Sequence, residues 1–463
     1  MKYTVLVNKE NKIKNNYLDK CNLINTINEL NEKIQVEENA YNNFLKLKEF
    51  LKSKNIYIDI DDSYRSINRQ EELYNHYLEN NGQEYCDNYV ADPGYSEHHT
   101  GLAIDIMLKI NDRYIREDMD LLEYRDIFEE IHKNLHKYGF ILRYPKEKKT
   151  ITGYSYEPWH FRYVGEFPAK IIYENDLCLE EYMKDFGTIL YINKPKDVTS
   201  FDVVNTISKN FGIKRVGHTG TLDPLATGVL IVTVGKACKI VELLTSKDKE
   251  YIATVELGYE TDTYDNTGKV LNKCEIPSNL NIKEILNSYK KTYMQEVPIY
   301  SAVKKDGKKL YEYARENKKV ELPKKEVTIK EIELLENNNN TFKFKCLVTK
   351  GCYIRSLIHD IGKSLGVYAT MTDLKRTKQG NITITDTDSI NDINNLKLHS
   401  IVDTLNYQKI VVETDLEKKI SNGMPINDNW NILDKVIFIN KNSKLLAIYS
   451  KENNILKSFK NFT

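Results

Sequence analysis

Apolar spacing sets the first expectations along the chain. Ala40, Phe44, Leu47 and Leu51 recur at helical intervals and predict one buried helix face. "IYIDI" (56–60) then reads as a strand, as does "LAIDIML" (102–108). Phe128, Ile131 and Leu135 mark a second helix, with Gly139 placed to end it. The aromatic run "YSYEPWHFRYVG" (154–165) predicts a strand or extended segment. Near Asp185 the pattern restarts. "GTILYINKP" (187–195) predicts a fresh strand, and "DVVNTISKNFG" a helix stopped by glycine. No Gly/Ser linker intervenes, so the boundary is tight. "NNNN" (337–340) predicts a loop. Beyond about residue 400, "DKVIFIN" and "KLLAIYS" predict a small β-rich unit. The whole reads as α+β without a long internal repeat.

Bulk numbers narrow this picture. A chain of 463 residues exceeds one ordinary domain. Hydrophobic residues at 41% and charged residues at 29% fit a soluble globular protein. Lys+Arg and Asp+Glu both total 67, which excludes a global basic field. Binding to nucleic acid therefore requires local patches. One candidate is the Lys-rich, Tyr-interleaved stretch 304–330, which taken alone fits a solvated face equally well. Seven cysteines without a CxxC pair point to free thiols in a reducing compartment. The opening "MKYTVLVNKENKIKNNYL" lacks a signal peptide's apolar core, and no stretch approaches 18 apolar residues. A cytoplasmic location, no membrane span and a monomer are the expectations.

The candidate chemistry begins at "YSEHHTGLAID" (95–105). A catalytic zinc needs three ligands of His, Asp or Glu type and one open position. His98 and Asp105 supply two candidates, and "EPWH" offers a third, His160, with Glu157 three residues before it. A carboxylate beside the metal can take a proton from attacking water. Arg65, in "SYRS", carries a fork suited to a carbonyl or carboxylate. Each signal alone has a plainer explanation: His–x6–Asp is weak, Trp159 suits a core, and Arg65 suits a surface. His99 reads as a neighbour rather than a ligand. His132 and His136 lack the Glu of HExxH and suit a partly solvated helix face.

The longer strings change these odds. "SYRS…Q", "SEHHTGLAID", "YGFILRYP" and "ITGYSYEPWHFRYVG" occur in this order. Residues 1–184 thereby resemble the VanY-type D-alanyl-D-alanine carboxypeptidases, α+β zinc peptidases. The family's SxHxxGxAxD pattern is met by Ser96, His98, Gly101, Ala103 and Asp105. The resemblance implies zinc on His98, Asp105 and His160, Glu157 as general base, and Arg65, Gln70 and Ser96 toward substrate. It implies as substrate a D-Ala-D-Ala-ending peptide or peptidoglycan precursor. Such enzymes usually act outside the membrane, and that sits poorly with a cytoplasmic chain.

The second half carries a different constellation. "GHTGTLDPLATGVLIV" (217–232) is rich in Gly and Thr, with one aspartate, Asp223, before Pro224. It lacks the order of a P-loop, and a turn Asp is its plain explanation. Its neighbours decide otherwise: "ILYINKPKDVTSFDVV", "KEYIATVELGYETDTYD", "QEVPIYSAVKKDGKKLYEYAR" and "GCYIRSLIHDIG". Residues 186–395 resemble the TruB-type tRNA pseudouridine synthases, which modify uridine 55 in the tRNA T-arm. The resemblance implies a mixed α/β domain with a central antiparallel-rich sheet and a mobile RNA-binding insertion at about 290–335. It implies Asp223 as the essential carboxylate, Tyr251 stacked on the flipped base, and Arg355 paired with Asp223. It places His218 and Lys194 at the substrate side, Lys194 and Pro195 with a structural role. No cofactor is implied for this half. Residues 400–463 resemble a small PUA-like C-terminal unit.

The leading reading is a two-enzyme fusion. A second keeps only the synthase active, with the first half an accessory or relic. A third, a non-catalytic RNA-binding or chaperone protein, conflicts with Asp223, Tyr251 and Arg355 at family positions.

Overall fold

The computed structural model describes residues 2–116 and 118–463. They group into two compact units. One runs to Phe186 and takes in Thr206–Arg215; the other comprises Gly187–Asn205 and Val216–Thr463. Both mix helices with sheets, so the class is α+β. Among the described residues, no helix is long and apolar enough to cross a membrane.

In the first unit, α1 (Glu38–Lys52) starts where the Glu37 carboxylate accepts the N–H groups of Asn39 at 2.9 Å and Ala40 at 3.1 Å. It buries Ala40, Phe44, Leu47 and Leu51, the face its spacing predicts. The sheet is built from β1 (Ile58–Asp62), β2 (Ala103–Ile110), β3 (Phe140–Leu142) and β4 (His160–Tyr163). Their order is β1-β2-β4-β3, antiparallel throughout. A helix, α2 (Arg125–Leu135), adds Phe128, Ile131 and Leu135 to a core shared with Phe140, Trp159 and Phe161. Only four residues of "YSYEPWHFRYVG" are strand. Pro158 has no N–H for a ladder and biases Glu157 toward an extended conformation, so pairing begins at His160. The β2–β4 register sets Asp105 opposite His160. His98 arrives on a short 3₁₀ turn, Glu97–Thr100, closed by Gly101 at φ 69°. A Cβ on Gly101 would lie 2.5 Å from the Leu23 side chain, so glycine is needed for the chain to re-enter β2.

The second unit is organised on a ten-stranded sheet. Its main strands are β5 (Gly187–Lys194), β6 (Thr227–Gly235), β7 (Lys249–Leu257), β8 (Thr292–Glu296), β9 (Lys324–Asn338), β10 (Thr341–Val348) and β11 (Ala369–Gln379). The order is β8-β9-β10-β7-β11-β6-β5, antiparallel except at β6–β11. A helix, α3 (Ile354–Leu365), packs Leu357, Ile358 and Ile361 into the same core as Ala253, Val255 and Phe344. Two expectations shift here. Asn337 and Asn338 belong to β9, and the "NNNN" turn is confined to its end, with Asn339 at φ 48°. Of the region expected at 290–335, β8 and most of β9 belong to the sheet, because Val327 and Ile329 alternate into the core despite the flanking lysines. The part that leaves the sheet holds a hairpin of Lys304–Lys305 with Lys308–Lys309 and a helix, Leu310–Arg315.

The C-terminal residues form a five-stranded sheet. Its Ile437, Ile439 and Ile448 join Ile189, Tyr191, Val229 and Ile231 of β5 and β6 in one apolar cluster. Shared burial of this kind couples the tail to the ten-stranded sheet.

Gly228, the second residue of β6, lies opposite Arg376 of β11, at φ 104°. A Cβ there would meet the Arg376 carbonyl oxygen at 2.2 Å. Gly228→Ala is therefore expected to cost about 2 kcal/mol or more of stability, measured by denaturant unfolding against the wild type. An unchanged midpoint would contradict this account of the β6–β11 junction.

Candidate functional site

Two sites emerge, one in each unit. In the first, β2 and β4 hold Asp105 against His160, and the 3₁₀ turn brings His98 alongside. Asp105 Oδ1 lies 2.8 Å from His160 Nδ1, and Oδ2 lies 3.0 Å from His98 Nε2. The two rings are 5.0 Å apart and nearly perpendicular, at 85°. His98 Nδ1 is 2.5 Å from the Ser63 carbonyl, which leaves Nε2 as its free nitrogen. Asp105 Oδ1 is buried yet makes no aligned hydrogen bond among the described residues, despite its contact with His160. Two imidazole nitrogens and a carboxylate converge with their ligand atoms within 4.8 Å of one another. That donor set, at that spacing, fits a divalent transition metal such as zinc. Burial opposes ionisation of Asp105, but His98 and His160 hold its carboxyl well below the usual range. Burial likewise lowers His160, and Asp105 outweighs it, pushing the ring up to about 9.

A cavity of about 500 Å³ opens at these groups, lined also by Arg65, Gln70, Ser96, Tyr154 and Glu157. Glu157 Oε2 is 3.7 Å from His160 Nδ1. Arg65 donates to Asp62 at 2.7 Å, to Gln70 Oε1 at 2.9 Å and to Asp105 Oδ2 at 3.2 Å. Gln70 is itself fixed by donating to the Ala91 carbonyl at 2.8 Å. The Ser96 hydroxyl oxygen accepts the His98 N–H at 3.3 Å and so caps the turn. His99 is a neighbour: its Nδ1 meets the Arg65 carbonyl at 2.7 Å, and its Nε2 accepts from Gly94 N at 2.9 Å. His132 places Nε2 2.9 Å from the Pro158 carbonyl and so braces the loop before His160. His136 stacks on Tyr173 at 3.9 Å. Sequence reasoning passed over Tyr154, whose buried hydroxyl has no hydrogen-bond partner among the described residues. It also passed over Glu97. Both lie inside the diagnostic strings, but the spacing does not say which of several polar residues points inward.

In the second unit, Asp223 stands on the loop before β6. Ser200 fixes that loop, its hydroxyl accepting from Leu222 N at 2.9 Å and donating to Leu222 O at 3.1 Å. Arg355, at the start of α3, grips the Asp223 carboxylate with two nitrogens: Nε to Oδ2 at 2.9 Å and an Nη to Oδ1 at 3.1 Å. The guanidinium is held in turn by the carbonyls of Thr263 at 2.9 Å and Tyr300 at 3.0 Å, with Asp265 at 3.8 Å. The arginine side chain is 6% exposed and the aspartate 34%, and both line the adjoining cavity of about 630 Å³, the carboxylate being the more open of the two. Tyr251 on β7 lines the same cavity with His218 and Tyr300. Burial pushes the Tyr251 hydroxyl above its usual range against the opposing pull of Arg376. Arg376 is anchored on the carbonyls of Val229 at 2.6 Å and Gly220 at 3.1 Å. Burial pushes His218 down, and Arg376 adds to this. Its Nδ1 accepts from Gly220 N at 3.3 Å. An anchored carboxylate facing an aromatic-walled cavity can serve as a nucleophile or stabilise developing positive charge.

Lys194, expected at the substrate side, is corrected by the structure. Its side chain is fully buried, and Nζ donates to the carbonyls of Pro195 at 2.8 Å, Val198 at 2.5 Å and Pro224 at 3.2 Å. It ties two loops together beneath Asp223 and has no donor left for substrate.

Comparisons with known proteins fit both sites. The family model for the TruB family pseudouridylate synthase N-terminal domain matches residues 208–354, and that for the tRNA pseudouridylate synthase B C-terminal domain matches 355–420. The D-alanyl-D-alanine carboxypeptidase model matches residues 33–166. The tRNA pseudouridine synthase B of Fusobacterium nucleatum is 42% identical over 283 residues, 59% of this chain and 98% of that protein. Its counterpart in Clostridium tetani is 40% identical over 272 residues, 57% of this chain and 92% of that protein. A solved structure of a mutant vancomycin resistance D,D-pentapeptidase VanY in complex with Zn(II) is 28% identical, covering 39% of this chain and 99% of that one, at a TM-score of 0.34. The class is thus a pseudouridine synthase, an isomerase of tRNA processing, preceded by a peptidase-type domain. The chain belongs to the TruB family, with a VanY-type domain in its first half.

Removing the Lys194 ammonium leaves three carbonyls short of a donor. Lys194→Met is expected to lower stability by about 2–4 kcal/mol in chemical denaturation. A stable variant that has merely lost tRNA affinity would instead restore Lys194 to the substrate side.

Proposed function

We propose that the chain carries two activities, isomerisation of uridine 55 in the tRNA T-arm and zinc-dependent removal of D-alanine from a D-Ala-D-Ala-ending peptide. The two-point grip of Arg355 on Asp223, open to an aromatic-walled cavity, carries the first reading. A base stacked inside the T-loop must be flipped out before it can react. In the cavity it lies against the Tyr251 ring, near Asp223. Arg355 holds the carboxylate aimed, and Asp223 assists cleavage of the C1′–N1 bond by attack or by charge. The base turns, C1′ bonds to C5, the C5 proton leaves with help from Tyr251, and N1 takes up a proton, so that the product is an isomer of the substrate. His218 contacts the RNA beside the flipped nucleotide. RNA backbone binding draws on the lysines of 304–323, where Lys308 lies over Tyr313 and Lys309 and Arg315 over Tyr311. A tRNA substrate also supports a cytoplasmic location.

The convergence of His98, Asp105 and His160 carries the second reading. His98, Asp105 and His160 would hold the zinc, which would supply polarisation of the peptide carbonyl and acidification of a water. Glu157 takes the proton from the attacking water and returns it to the leaving amine. Arg65, braced by Asp62 and Gln70, places positive charge beside the carbonyl oxygen or the terminal carboxylate. Ser96 lines the wall where the peptide enters. A peptidoglycan precursor is the natural source of such a peptide.

Asp223→Asn is expected to abolish pseudouridine formation, a loss of about 10³-fold or more, while tRNA binding survives in a filter assay. Normal turnover would sink the assignment. In the other unit, His160→Ala should lose zinc. Glu157→Gln should keep zinc and release D-alanine about 10²–10⁴ times more slowly. A zinc-free wild-type chain with full peptidase activity would defeat the scheme.

A further inference from the structure

Behind the metal site lies a cluster of four charges, Glu97, Arg143, Arg162 and Glu180. The two arginine side chains and Glu97 are fully buried. Glu97 Oε1 accepts from Arg143 Nε at 2.8 Å and from an Nη of Arg162 at 2.5 Å. Arg143 also grips Glu180 with two nitrogens, at 3.0 and 2.6 Å. Arg162 reaches the carbonyls of Tyr3 at 2.9 Å and Val5 at 2.7 Å. Glu97 Oε2 is left over. It is buried without a hydrogen bond, and so is His160 Nε2, 3.7 Å away.

We propose that Glu97 is a positioning residue for the metal centre, accepting the Nε2 proton of His160 when that ring ligates zinc through Nδ1. The proposal rests on the zinc reading above. A ring that ligates through Nδ1 carries its proton on Nε2, and a buried N–H needs an acceptor. Glu97 Oε2 faces it across a gap that a shift of less than about 1 Å closes to hydrogen-bond range. The arginines hold Glu97 by its other oxygen, so the free one keeps its direction. Buried ionic clusters of this kind add little stability over well-packed apolar residues. Orienting a ligand ring gives this one a use beyond holding the fold. Glu97 directly precedes His98, so one turn carries a ligand and the group that orients the other histidine.

The test compares zinc affinity in the full-length chain by competition with a chromophoric chelator. Glu97→Gln should weaken zinc about 10- to 100-fold. Glu180→Gln removes the same charge from the same cluster without facing His160, and should stay within about threefold of wild type. Equal affinity in Glu97→Gln and wild type, or an equal loss in both variants, overturns the proposal. Should Glu97→Gln fail to fold, the zinc-loaded wild type still decides by histidine-selective ¹⁵N NMR. A slowly exchanging Nε2 proton on His160 is expected, and a freely exchanging one overturns the proposal. A wild-type chain that takes up no zinc overturns this proposal and the peptidase reading together. Bound zinc without D-alanine release overturns the peptidase reading alone, and the affinity comparison still stands.

Discussion

Both sites depend on a carboxylate held in place by fixed cationic or hydrogen-bonding partners. For Asp223 the partner is a planar guanidinium that binds both oxygens and is anchored on two carbonyls. For Asp105 the partners are two imidazoles and the Arg65 fork. The difference in partner separates the chemistries. A guanidinium cannot ligate a metal, so Asp223 stays an ion-paired carboxylate facing an aromatic-walled cavity. Imidazoles can exchange a proton for a metal, so Asp105 with His98 and His160 fits a ligand set.

The sheets exist, in functional terms, to make these contacts reproducible. Antiparallel register between β2 and β4 puts Asp105 opposite His160, and a slip of one residue would turn either side chain to the other face. In the second unit the loop bearing Asp223 is pinned from below by Lys194 and Ser200, while β11 carries Arg376 under Tyr251. Polar groups buried beneath a loop rigidify it when every partner is met.

Much of this was legible in the sequence. The helix at 38–52 followed from four apolar positions on one face, and the strands at 187–194 and 435–440 from short apolar runs. His98, Asp105 and His160 were legible through the family resemblance of the longer strings that carry them, the His–x6–Asp spacing alone being weak. Less was legible where long-range pairing decides. The lysines flanking Val327 and Ile329 hid a strand in a stretch that looked like a surface segment. Lys194 was expected both at the substrate side and in a structural role, and the choice was not legible because a single lysine carries no sign of the three carbonyls that meet it. Glu97 was invisible for the same reason: Arg143, Arg162 and Glu180 are distant in sequence, and only the fold assembles them around it.

The proposed function puts two working sites of unrelated chemistry on one polypeptide. It is tested most directly on a single preparation of the full chain shown to form pseudouridine in tRNA. Bound zinc is counted by mass spectrometry, and D-alanine release is followed from a peptide ending in D-Ala-D-Ala. The account predicts one zinc per chain and release of D-alanine. A preparation that modifies tRNA yet binds no zinc and releases no D-alanine would contradict it, leaving a tRNA pseudouridine synthase beside a silent domain.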